Sequence, residues 1–170
     1  MNVSRRRVLK GVAAAGMLPL FNVGCAGFGQ GRAVRIAKGD KLRVALIGCG
    51  IQGRTIINAV LLEKLVAIVD PDPSQLERMD KEVAALNDAA CSANYAGVRK
   101  FATYQDMFNA VGDGLDAVII ETPNHQHILP ALLAIRRGIH VFLDKPLVLT
   151  VAEGDLLLAE TRKRHGIVTQ

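Results

Sequence analysis

The sequence predicts an α/β domain built on a doubly wound parallel sheet. Three observations predict it. Apolar runs of strand length alternate with helix-like segments from Lys41 onward. A Gly-x-Gly-x-x-Gly pattern, at Gly48, Gly50 and Gly53, directly follows the first run. An acid, Asp70, closes the second run, 22 residues after Gly48.

Leu42 to Ile47 reads as a strand that is mostly apolar, as a strand covered on both faces must be. Gly48 to Gly53 is a turn, and Arg54 to Glu63 a helix. Leu65 to Val69 is the second strand. Asp72-Pro73-Ser74-Gln75 reads as a helix start, with an Asp cap, Pro at the first position and Gln reaching back. Leu76, Met79, Val83 and Leu86 then keep one helical face apolar. Val98 to Ala102 is a weaker strand, and Tyr104 to Val111 a short helix. Leu115 to Ile120 is a strand that runs into a Thr-Pro-Asn turn. A helix from His127 to Arg137 stops at Gly138, and Ile139 to Leu143 is the next strand. Thr150 and Glu153 form a capping box that opens a helix to about Arg164. Gly166 to Thr169 begins a last strand.

Composition narrows the function classes. With 170 residues, 50% of them hydrophobic and 22% charged, the chain supports one compact core and is not disordered. An aromatic content of 4% without Trp argues against stacking platforms for nucleic acid. The basic pI of 9.4 has a local origin. Residues 1–38 carry seven Arg or Lys and no acid, which leaves 14 basic and 16 acidic residues beyond them. The body is therefore slightly acidic, and no nucleic-acid partner is expected.

Residues 1–39 read as a leader and tether, and residues 40–170 as the domain. Ser4-Arg5-Arg6-Arg7-Val8-Leu9-Lys10 precedes a short apolar run, Gly11 to Phe21. That order reads as an export signal, and the Arg pair resembles the twin-arginine type; the lesser alternative is a basic N-terminal helix on a cytoplasmic protein. The signal implies the export machinery as a partner and a periplasmic location. Asn22-Val23-Gly24-Cys25 carries the Gly-Cys end of a lipoprotein box, but Asn22 stands where an apolar residue belongs, so lipid attachment at Cys25 is the lesser reading. Cys25, Cys49 and Cys91 give no disulfide framework, and Cys49 reads as a small buried residue.

The informative residues all follow strands, where a doubly wound sheet binds its ligand. Gly48 permits the tight turn, Gly50 lets backbone approach a pyrophosphate, and Gly53 lets the helix pack close. The helix N-terminus then offers N–H groups to phosphate. Asp70 accepts hydrogen bonds from the adenosine ribose hydroxyls and repels a 2′-phosphate, which favours NAD over NADP; the bland alternative is a cap on the turn into Pro71. Together these features describe a dinucleotide-binding Rossmann domain. In Glu121-Thr122-Pro123-Asn124-His125-Gln126-His127, a helix-entry turn that touches the cofactor, Thr122 is a cofactor contact, Asn124 and His127 offer polar groups to the nicotinamide side, and His125 is exposed. No third ligand accompanies the two His at a metal spacing, so no metal is expected. Pro146 forces an extended turn that aims Lys145 into the crevice, where an ammonium can bind a substrate oxygen and tune proton transfer. The alternative is a surface Lys paired with Asp144.

The fingerprint with Asp70, the run Asp116 to His127 and the run Gly138 to Pro146 resemble the Gfo/Idh/MocA oxidoreductase family, from about Lys41 to Gln170. The resemblance implies an NAD(P)-dependent enzyme acting on a sugar, polyol or related hydroxyl compound. It implies Lys145 as the catalytic lysine, and Ile51, Gln52, Asp70, Asn124, His127 and Asp144 as cofactor contacts. The family's Glu-Lys-Pro stands here as Asp144-Lys145-Pro146, one methylene shorter. Exported members with twin-arginine leaders are familiar in the family. Its second α/β domain, which binds substrate, supplies a catalytic His and Asp and mediates homo-oligomers, is expected to be absent from this chain. The chain alone is then expected to be inactive. Two alternatives stand beside this reading: an NAD-dependent glycosidase of the same superfamily, whose members tend to lack the Lys of the Lys-Pro pair, and a non-catalytic dinucleotide-binding fragment.

Overall fold

The computed structural model describes residues 40–170. The expected leader, tether and Cys25 lie outside the described residues. Five parallel strands form one sheet: β1 (Arg43–Ile47), β2 (Lys64–Val69), β3 (Arg99–Phe101), β4 (Ala117–Ile120) and β5 (His140–Leu143). Their order is β3-β2-β1-β4-β5. The chain moves outward from β1 to β3, then crosses back to start again at β4. That reversal opens a crevice at the carboxyl ends of β1 and β4.

The helices are α1 (Ile51–Val60), α2 (Pro73–Ala85), α3 (Ala89–Tyr95), α4 (Tyr104–Val111), α5 (Ile128–Arg136) and α6 (Val151–Arg162). They cover both faces, and strand alternation sorts the core accordingly. Val44, Leu46, Leu65 and Ile68 pack with Ile57, Val60, Met79 and Val83 from α1 and α2. Ala45, Ile47, Ala67 and Val69 turn the other way, toward Met107 and Phe108 of α4 and Ala131 and Ile135 of α5. A register irregularity between Val44 and Ala45, opposite β2, lets Leu65 and Ile68 share a face.

The largest departures from the expectation are five. First, α1 begins at Ile51, not Arg54, and ends at Val60, because the last third of the glycine motif is its first turn. Second, α3 was not expected. Asp88 caps it by accepting from the Cys91 N–H, while Asn94 Nδ2 donates to Leu61 O at 2.7 Å and holds it down. Third, β4 starts at Ala117, although the Asp116 N–H donates to Arg43 O and its carbonyl accepts from His140, while its side chain accepts the Arg43 N–H at 2.8 Å. Fourth, Gln75 does not close a capping box on backbone: its amide donates to the Asp72 carboxylate at 3.4 Å and its oxygen accepts from Arg54. Fifth, the strand expected at Gly166 to Thr169 is a single bridge, Val141 to Thr169, supported by Val141 N–H to Val168 O and Leu143 N–H to Gln170 O. The Thr150–Glu153 capping box forms as expected.

Candidate functional site

The glycine turn is built by close contact. Gly48 has φ +98°, and a Cβ there would stand 2.5 Å from the carbonyl oxygen of Glu121. Only glycine lets the β1 turn lie against the end of β4. A Cβ on Gly53 would stand 2.1 Å from Gly48 O and 3.6 Å from a methyl of Leu46. The third glycine thus seats α1 on its own turn as well as on the strand. Gly50 is different, since a Cβ there would meet nothing within 4 Å. It is the N-cap of α1 and provides no side-chain cap, so the first-turn N–H groups face open space. Ile51 and Gln52 stand exposed beside it.

Asp70 is tied to this turn. Its Oδ2 accepts the Cys49 N–H at 2.9 Å and its Oδ1 accepts the Asp72 N–H at 3.0 Å. These bonds bear out the capping of the turn into Pro71, and they place Asp70 beside the fingerprint. Each oxygen keeps a lone pair for a further donor. Arg54, a residue the sequence reading passed over, locks the same corner by donating to Cys49 O at 2.9 Å and to Gln75 Oε1 at 2.7 Å. Cys49 is fully buried, and burial followed by the Asp70 charge pushes its thiol up to about 12, so it is no nucleophile.

A second cluster occupies the ends of β4 and β5. Glu121 is 8% exposed. Burial, then the charge of Asp144 and a hydrogen bond with it, push the Glu121 carboxyl up to about 7, against a smaller opposing pull from Lys145. Asp144 lies below the ordinary carboxylate value, held there first by the Lys145 N–H, then by the Gln52 amide and the charges of Lys145 and His127. Gln52, Glu121, Asp144 and Lys145 thus meet, although they come from three separate segments. Glu121 was missed as a site residue. Its one sequence signal is an acid closing an otherwise apolar strand.

The turn after β4 departs from expectation at His127. The ring is 2% exposed, with Nδ1 2.8 Å from Pro146 O and Nε2 2.8 Å from Thr122 O. Both nitrogens are spent on carbonyls, so His127 ties two loops together and offers no free group to a cofactor. Asn124 and His125 are exposed. Thr122 Oγ1 is, among the described residues, a buried side-chain oxygen with no hydrogen-bond partner, and it sits beside Gly48. Lys145 is exposed after β5, and its peptide bond to Pro146 is cis.

From β2 through β1 and β4 to β5, the strand ends therefore carry Asp70, the open α1 N-terminus at Gly50, Thr122, and Asp144 with Lys145. The donor set fits a dinucleotide: free N–H groups with room for phosphate, and an acid one strand away for a ribose.

Comparison with known proteins agrees with this layout. The family described as "Oxidoreductase family, NAD-binding Rossmann fold", Gfo/Idh/MocA, matches residues 42–170. A glycosyl hydrolase family 109 protein of Shewanella pealeana is 32% identical over 167 residues, covering 90% of this chain and 36% of its own length. The scyllo-inositol 2-dehydrogenase (NAD(+)) of Bacillus subtilis is 28% identical, with 76% and 35% covered. Among solved structures, the WlbA dehydrogenase from Bordetella pertussis, in complex with NADH and UDP-GlcNAcA, superposes with a TM-score of 0.61 at 25% identity, covering 78% of this chain and 35% of that one. The chain spans about a third of the length of the relatives it matches.

Proposed function

Because the chain belongs to the Gfo/Idh/MocA oxidoreductase family and carries its NAD-binding Rossmann fold, we propose that it is the cofactor half of an NAD-dependent enzyme oxidising a hydroxyl group of a sugar or polyol. One observation carries this reading. Asp70 after β2, the open N-terminus of α1 after β1 and Lys145 after β5 all stand at the carboxyl end of one parallel sheet, with β4 between the last two.

In this reading the first-turn N–H groups of α1 bind the pyrophosphate, and Gly50 leaves room for it. Asp70, held rigid by two backbone N–H groups, accepts from the adenosine ribose and disfavours a 2′-phosphate. NAD supplies the hydride acceptor. Lys145 holds the substrate hydroxyl oxygen and moves its proton, with Asp144 beside it to set its orientation and charge. Hydride transfer requires the substrate within about 3–3.5 Å of the reacting carbon.

The similarity to a family 109 glycosyl hydrolase supports a second reading, transient oxidation followed by elimination. Lys145 favours the dehydrogenase.

The test is a titration of the purified chain with NADH and with NADPH, followed by nicotinamide fluorescence. Tighter NADH binding is expected. Binding of neither by the folded protein overturns the reading, and tighter NADPH binding reverses the role of Asp70. In the protein that spans the family's full length, Lys145→Met should abolish sugar oxidation while NADH affinity holds. Release of an aglycone from a glycoside by that protein would select the second reading. We also propose export through the Arg5-Arg6 pair, tested by whether Arg5→Lys with Arg6→Lys traps the protein in the cytoplasm.

A further inference from the structure

We propose that Glu121 is a positioning residue of the Lys145 site: its carboxyl shares one proton with Asp144 and so fixes Asp144 as the bridge between the Gln52 amide and the Lys145 backbone N–H. The proposal rests on the cofactor-domain reading above for its consequence, but not for its chemistry.

The juxtaposition follows from strand register. Ile120 of β4 pairs with Leu143 of β5, so the next residues, Glu121 and Asp144, leave the sheet side by side. Adjacent strands lie about 4.8 Å apart, which is carboxyl-to-carboxyl reach. Glu121 has no room to withdraw. Its N–H donates to Ile47 O at 2.8 Å, and its carbonyl is pressed against Gly48. Two carboxylates so placed, one of them buried, do not both ionise at neutral pH.

The surrounding groups decide where the proton stays. From β5 come the Asp144 carboxylate and the Lys145 ammonium. His127, before α5, acts on Asp144, as do the Lys145 N–H and the Gln52 amide from α1. From the β1 side, the Ile47 carbonyl and the Gly48 backbone meet the Glu121 main chain. Lys145 acts on both carboxyls, but the Lys145 N–H, the Gln52 amide and His127 act on Asp144, so Glu121 keeps the proton. The pair carries one negative charge below neutrality and two above it. A cationic oxidised nicotinamide gains more from the second charge than the neutral reduced form does.

The experiment is a carbon-13 NMR titration of the full chain with labelled Glu and Asp carboxyls. One Glu resonance should titrate near pH 7, vanish in Glu121→Gln, and fall toward the ordinary carboxyl range in Asp144→Asn. A Glu121 that titrates with the surface glutamates overturns the proposal. In parallel, NAD+ and NADH affinities are measured from pH 6 to 8. The ratio favouring NAD+ should rise severalfold with pH, and Glu121→Gln, which keeps a donor for Asp144, should flatten that rise without loss of binding. A pH profile unchanged by Glu121→Gln also overturns the positioning role. Failure of the chain to bind either nucleotide strikes the cofactor reading alone, because the NMR titration judges the shared proton without a ligand.

Discussion

The carbonyl oxygen of Gly48 lies 2.1 Å from where a Cβ of Gly53 would be. The first and third glycines of the fingerprint are therefore a packing pair, whereas the second, Gly50, borders open space.

This division separates stability from binding. Gly53→Ala should destabilise the domain by about 1–3 kcal/mol or more, since backbone must shift to admit the methyl. Gly50→Ala should leave thermal stability nearly unchanged, because its φ of −64° suits any residue, yet weaken NADH binding by crowding the phosphate path. Thermal melts and NADH titrations of the two variants are expected to diverge in these opposite ways.

Asp70→Ala removes two acceptors at once. The Cys49 and Asp72 N–H groups lose their partner. NADH affinity is expected to fall by about 1.5–3 kcal/mol per charge-assisted bond lost to the ribose. Asp70→Asn, which keeps one acceptor, should recover most of the stability in denaturant melts but not the affinity. Equal affinities for wild type and Asp70→Ala would reduce Asp70 to a turn cap.

Glu121 links stability to pH. Its carboxyl is raised from 4.5 to about 7, so the folded chain holds a proton that the unfolded chain has released. The stabilisation is complete below about pH 4.5 and is lost as pH rises to about 7, after which the curve is level. Asp144 works in the opposite sense, since its lowered value contributes stability above the ordinary Asp range that disappears as pH falls. Denaturant midpoints should therefore decline between about pH 5 and 7 for the wild type and stay flatter for Glu121→Gln.

His127→Ala is expected to act on the fold rather than on cofactor contacts. It removes the ring that ties Thr122 O to Pro146 O, each at 2.8 Å, and leaves a buried hole. A loss of about 1–3 kcal/mol is expected in thermal or denaturant melts. NADH affinity should change less than in Asp70→Ala, and a larger loss of affinity than of stability would restore His127 to the cofactor site.

How much was legible follows from how local each signal is. The Thr150–Glu153 box and the Asp72 cap were readable because their partners lie within three residues. Helix α4 runs over the expected residues, Tyr104 to Val111, capped by Thr103. Helix α3 was not readable, because a seven-residue helix has little periodicity and is held by Leu61 O and Lys64 from elsewhere. Arg54 and Gln75 find each other across 21 positions, and no pattern in either segment announces the other.

The sequence alone determined the parallel sheet, the glycine turn and the placement of Asp70 and Lys145 at strand ends, because apolar runs, glycines and caps act through neighbours a few residues away. Only the tertiary structure decided that Glu121 and Asp144 share a corner, that His127 is a tie between loops and that Gly53 rests on Gly48 O. Those outcomes depend on strand register and on which backbone groups are left to be satisfied once the sheet is assembled, and neither is written in any one segment.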